Sequence, residues 1–75
     1  MNTDEKILVS LIGCRSTDAA IGDTLRLPFL VTRAHCQRME KDGFIASEKI
    51  SDVLPVWHLT ESGKARAEKL QSAAV

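Results

Sequence analysis

A chain of 75 residues lies near the lower size limit for a domain that folds alone, which limits it to one core and makes a homodimer an expected way to add stability. Hydrophobic residues at 44% and charged residues at 27% are ordinary for a soluble globular domain, and no apolar run approaches the roughly 18 residues of a membrane span, so the expected location is cytoplasmic. Ten basic residues balance ten acidic ones, which excludes a uniformly basic surface but not a local one.

The chain opens with Thr3 as a candidate helix cap, and Asp4 and Glu5 suit the positive end of a helix. Ile7, Leu8, Leu11 and Ile12 make an apolar stripe, and Gly13 is a stop signal, giving a first helix over 3–13. Ser16 or Thr17 caps a second helix over 17–25. Its first turn carries Asp18, and Ala20, Ile21, Thr24 and Leu25 are its expected inward residues. Gly22 inside this helix costs about 1 kcal/mol relative to Ala. Close approach of another helix is the expected reason for it. Arg26 stands in the tight connection that follows, near where such turns often place glycine. A positive φ there costs about 1–2 kcal/mol. Its guanidinium either contacts a phosphate from the flank of the next helix or is simply solvated.

The third helix is expected over 28–42. Pro28 suits a first helical position, and Gly43 suits the left-handed residue that closes a helix. Val31, His35, Cys36 and Met39 recur at helical spacing as its expected inward face. Leu30, Arg33, Ala34, Gln37 and Lys41 recur on another side, with Arg38 at its edge. Guanidinium, amide and small apolar groups together suit a DNA major groove, where Arg pairs with guanine, Gln with adenine and apolar groups with thymine methyls. Residues 26–41 also concentrate positive charge, with Arg26, Arg33, Arg38 and Lys41 against Glu40 alone.

After Gly43 the period changes. Residues 44–50 and 55–59 suit two antiparallel strands, giving a hairpin over 44–59 with a wing near 51–54. Trp57 and Leu59 are expected in the core, Val56 and His58 outward. Thr60 caps a last helix over 60–73, whose modest apolar side is Ala65, Leu70 and Ala73 or Ala74. The order helix, helix, helix, strand, wing, strand, helix is mainly α with a small β-hairpin (an α+β class), the winged helix-turn-helix arrangement.

Two cysteines, Cys14 and Cys36, lack CxxC spacing and are expected to be reduced and buried. With His35 and His58 they could be drawn as a metal site, but no pair has zinc-finger spacing, so no metal or cofactor is expected. HExxH, GxSxG and phosphate-loop patterns are absent from the sequence, and no enzymatic activity is expected. His35 and Cys36 are adjacent on a helix and point about 100° apart, so they do not form a nucleophile pair.

VTRAHCQRMEKDGFI and VWHLTESGKA resemble the winged-helix core of the MarR and PadR groups of bacterial transcriptional regulators. The resemblance implies double-stranded DNA binding through the third helix, usually as a dimer on a two-fold symmetric site. It implies groove-facing roles for Leu30, Arg33, Ala34, Gln37 and Arg38, while Arg26 and Lys41 add positive charge beside them. It also departs in three ways. The long helices that build the dimer and the ligand pocket in MarR-type proteins have no counterpart, so no small-molecule ligand is expected. Asp52 is followed by Val53 and Leu54, not by the usual wing arginine. Arg26 replaces the usual turn glycine. Small stand-alone winged helices of this kind are familiar from phages and plasmids. A protein-interaction module is the competing expectation, because net charge is zero and Val53 and Leu54 would sit on the wing.

Overall fold

The computed structural model describes residues 2–48 and 55–73. The expected wing, with Val53 and Leu54, lies outside the described residues, as does Ala74.

The first helix, α1 (Thr3–Ser10), is shorter than the expected 3–13 and is capped one residue earlier than expected. Asn2 accepts from the Glu5 N–H and the Glu5 carboxylate accepts from the Asn2 N–H, both at 2.9 Å. This reciprocal box satisfies two amides that a Thr3 cap would leave open. Residues 11–13 form a turn, with Gly13 at φ 73°. Ile7, Leu8 and Leu11 are buried, and Ile12 packs against them.

A two-residue strand absent from the expected order follows. β1 (Ser16–Thr17) leads directly into α2 (Asp18–Leu25), for which the Thr17 hydroxyl accepts the Ala20 N–H. The inward residues of α2 are Asp18, Ile21 and Gly22, with Leu25 packed against the core. Ala20 and Thr24, expected inside, are exposed. The Thr24 hydroxyl bonds the Ala20 carbonyl and needs no buried partner. Gly22 meets a close approach, nearest from the turn after α2 and next from the third helix, where another helix alone was expected. A Cβ there would lie 2.9 Å from the Leu27 carbonyl oxygen and 3.2 Å from the Thr32 hydroxyl. Arg26 adopts φ 57°, ψ 48°, so the left-handed conformation whose cost is weighed above is the one it takes.

α3 (Phe29–Asp42) begins one residue after Pro28, which is the cap and not the first helical residue. Gly43, at φ 88°, closes it, with the Gly43 and Phe44 amides bonded to the Glu40 and Met39 carbonyls. Its inward stripe is Thr32, Cys36 and Met39. Val31, expected inside, is 41% exposed, and His35 is half-buried. Thr32 is tolerated inside because its hydroxyl bonds the Pro28 carbonyl at 3.1 Å, which satisfies the polar group.

β2 (Ile45–Glu48) and β3 (Val56–Leu59) pair antiparallel, with Ile45 opposite Leu59 and Ser47 opposite Trp57. β1 pairs on the other side of β3, giving a three-stranded antiparallel sheet in the order β1-β3-β2 where a two-stranded hairpin was expected. Trp57 is buried and Leu59 packs on the core. His58, expected outward, is half-buried, and its Nδ1 is enclosed without a hydrogen-bond partner among the described residues. α4 (Glu61–Ala73) is capped by Thr60, whose hydroxyl accepts the Gly63 N–H at 3.1 Å. Gly63, Ala67 and Leu70 face inward, while Ala65 and Ala73, expected inside, are exposed. No helix among the described residues is long and apolar enough to cross a membrane.

Candidate nucleic-acid interface

With Thr32, Cys36 and Met39 committed to the core, the pitch of α3 fixes what faces away from it. Leu30, Ala34, Gln37 and Lys41 fall at spacings that stack them along the opposite side. All four are exposed, and Leu30 is 74% exposed. This outward line is apolar at its start, small in the middle, and amide and ammonium at its end. Arg33 and Arg38 flank it on opposite edges. Phe29 and Val31 widen the apolar start, at 39% and 41% exposed.

The two flanking arginines are held in different ways. Arg33 reaches back toward α2, where its Nε donates to Asp18 Oδ2 at 3.1 Å. Asp18 is fully buried, and its other oxygen accepts from the indole Nε1 of Trp57. A carboxylate in that position is tolerated because it is paired, hydrogen-bonded on both oxygens and placed at the positive end of α2. The Arg33 guanidinium also lies over the Phe29 ring, 4.9 Å from its centroid, an arrangement favoured by the ring quadrupole. On the other edge, Arg38 pairs with Asp4 from the first turn of α1. The second Asp4 oxygen is 2.7 Å from His35 Nδ1, which is 3.2 Å from Arg38 Nη2. This pair is open to solvent, with Asp4 30% and Arg38 57% exposed. Arg26 and Lys41 make no ion pair among the described residues.

Six of the seven residues singled out from the sequence, Leu30, Arg33, Ala34, Gln37, Arg38 and Lys41, therefore lie on the outward line of α3 or its two edges. The seventh, Arg26, is exposed in the turn that precedes the helix. Asp4, Asp18 and Phe29 were missed. The two acids read as residues matched to helix ends, and nothing local marks their distant cationic partners. Phe29 could have been found, since Phe29, Leu30 and Val31 are a run of large apolar residues directly after a helix-starting proline.

The cysteines divide. Cys36 is buried, and desolvation, assisted by the negative charges of Asp18 and Asp4, pushes its thiol from 9.0 up to about 12. Cys14, expected inside, is exposed, with its thiol directed at the Ser10 carbonyl. The turn at 11–13 carries it past the end of the buried stripe. Among the described residues no group of three or more His, Cys, Asp or Glu is placed to hold a metal ion.

No protein-family model matches this sequence, and no curated protein matches it. Solved structures do share the fold. The adhesin competence repressor AdcR of Streptococcus pyogenes superposes with a TM-score of 0.89 at 21% identity, over 99% of this chain and 57% of that one. An apo mutant form of ZitR from Lactococcus lactis gives 0.88 at 23% identity, over 96% of this chain and 56% of that one. Wild-type ZitR solved in complex with DNA gives 0.84 at 24% identity, over 93% and 49%. The chain thus has the winged-helix architecture of these regulators and spans about half their length.

Proposed function

We propose that this chain binds double-stranded DNA sequence-specifically through α3 and acts as a transcriptional regulator. The observation that carries this reading is the outward side of α3. Leu30, Ala34, Gln37 and Lys41 form one continuous exposed line, and arginines flank both of its edges. A helix about 10–12 Å across fits a major groove of comparable width, and this line would meet the base edges. Arg26 and Arg38 would then approach phosphates from the periphery. A relative of the same fold, ZitR, has been solved with DNA, which supports the same use of the fold in this chain. Binding as a homodimer would place two such helices about 10 base pairs apart, or a multiple of that distance, on a two-fold symmetric site.

The test is an NMR titration of the labelled protein with a mixed-sequence duplex at low salt. Amide shifts concentrated from Arg26 to Lys41, and fading as salt rises, are the expected result. Shifts absent at every salt concentration would sink the reading. One observation favours a second reading, a protein-interaction module. Phe29, Leu30 and Val31 are large exposed hydrophobics grouped at one end of α3, and two arginines nearby are already paired within the chain. A silent DNA titration would move the proposal to an apolar partner docked on that end.

A further inference from the structure

Arg33 differs from every other cation on this side of the molecule in being held by a buried group. Its Nε hydrogen is taken by Asp18, a residue with no exposed surface. Trp57 holds the other oxygen of that carboxylate from the central strand of the sheet. The Phe29 ring lies against the guanidinium plane. An arginine carries five donors in a rigid planar fork. With Nε occupied, the donors left are those of its two terminal nitrogens, which have no partner among the described residues. The side chain is still 35% exposed, so this end is accessible while the rest is clamped.

We infer that Arg33 is a guanine-reading residue and that Asp18 and Phe29 are its positioning residues. The inference rests on the DNA-binding reading above and adds the base that is read and the device that sets the geometry. Two parallel donors matched to the O6 and N7 acceptors of guanine are the commonest specific contact in the major groove. A free arginine must lose the rotamer freedom of a long side chain to make that contact. Here that freedom is lost on folding. The anchor is also central. Asp18 begins α2, Arg33 lies on α3 and Trp57 lies on β3, so one carboxylate sets the fork relative to three elements. A phosphate can also take two donors of the fork, but it carries no sequence information, so the two contacts part in a base-by-base test.

The test is selection of a preferred duplex by the wild-type chain from a random pool, followed by affinities for that duplex and for copies carrying 7-deazaguanine at each guanine in turn. Those measurements are repeated with Arg33→Lys and Asp18→Asn. The wild type is expected to lose roughly ten- to hundredfold in affinity at one guanine per half-site when N7 is removed. Arg33→Lys keeps the charge but not the fork, and should lose most of the wild type's discrimination between the guanine and deazaguanine duplexes. Asp18→Asn keeps an oxygen for Trp57 but loses the charge that holds Arg33, and should shrink the same discrimination at the same position. A merely structural role would weaken all duplexes alike. If Asp18→Asn does not fold, Arg33→Lys decides alone, because lysine keeps a positive charge beside the buried Asp18. Retention of the full guanine preference in Arg33→Lys would overturn the inference and leave DNA binding standing. Failure of the wild type to bind any duplex would overturn both.

Discussion

Two residues show how burial and backbone geometry turn into measurable behaviour. The Cys36 thiol, raised to about 12 by burial beside Asp18 and Asp4, is almost wholly protonated at neutral pH and hidden from reagents, whereas Cys14 is exposed. A thiol-titrating reagent should therefore modify one cysteine in the native protein and reach the second only when denaturant unfolds it. Rapid labelling of both would contradict the packing of α3. The same shift has a stability consequence. Below about pH 9 both states hold the proton and nothing is lost. Between 9.0 and about 12 the unfolded chain releases it first, so stability falls by up to about 1.4 kcal/mol per pH unit from this one group. The stability of Cys36→Ala, taken from denaturation midpoints across pH, should fall less steeply in that window than that of the wild type, from a lower starting value. Arg26 makes the opposite case. Held at φ 57°, it carries about 1–2 kcal/mol of left-handed strain that glycine would not. Arg26→Gly should raise the melting temperature by a few degrees while weakening DNA binding at low salt. A lower melting temperature would mean that the arginine side chain contributes packing that outweighs the strain.

At the scale of elements, one close join is between α4 and the loop after α3. The Phe44 carbonyl accepts the Thr60 N–H at 3.1 Å, and the Thr60 hydroxyl lies 2.7 and 3.0 Å from the Gly43 and Phe44 carbonyls. A Cβ on Gly63 would overlap the Phe44 carbonyl oxygen. Gly63→Ala gains about 1 kcal/mol of helix propensity. The clash with backbone should cost more, leaving the variant destabilised by roughly 1–3 kcal/mol, read as an earlier loss of the buried-tryptophan fluorescence of Trp57. An unchanged or raised midpoint would mean that α4 sits farther from Phe44. Gly63 was not singled out from the sequence, and the reason is general. Hydrophobic period and caps are local, and they marked all four helices, the strand residues 45–48 and 56–59, the Arg26 turn and the outward line of α3. β1 has two residues and no period to detect. Asp18 and its partners are 15 and 39 residues apart. Nothing near Asp18 distinguishes a buried carboxylate from a helix-end acid. The inward stripe of α3 was misplaced at Val31 because the apolar residue there is exposed and a threonine beside it is buried. Hydrophobicity alone cannot foresee a hydroxyl satisfied by its own helix.

For the whole molecule the question that the proposed DNA binding raises is how a chain of zero net charge would hold a polyanion. Part of the answer lies in how its acids are paired. Asp18 is enclosed and cannot leave Arg33. Asp4 is solvent-accessible, and its bond to Arg38 joins two exposed groups, a class of pair that contributes about 0–1 kcal/mol. A phosphate arriving at the edge of α3 would compete with Asp4 for Arg38 and repel its carboxylate. In this view Asp4 restrains non-specific binding, and its removal gives a prediction with two opposed readouts. Asp4→Asn takes away an acid from the first turn of α1 and the charge facing His35 and Arg38, which should lower stability by about 0.3–1 kcal/mol. It also frees Arg38 for a phosphate. DNA affinity at low salt should rise several-fold, and the slope of log affinity against log salt should steepen by about one. The gain should vanish at high salt, where the Debye length shrinks to a few ångströms. A variant that loses stability and affinity together would show that Asp4 orders Arg38 for contact and does not mask it. Asp4 and Asp18 would then serve one role on the two edges of α3.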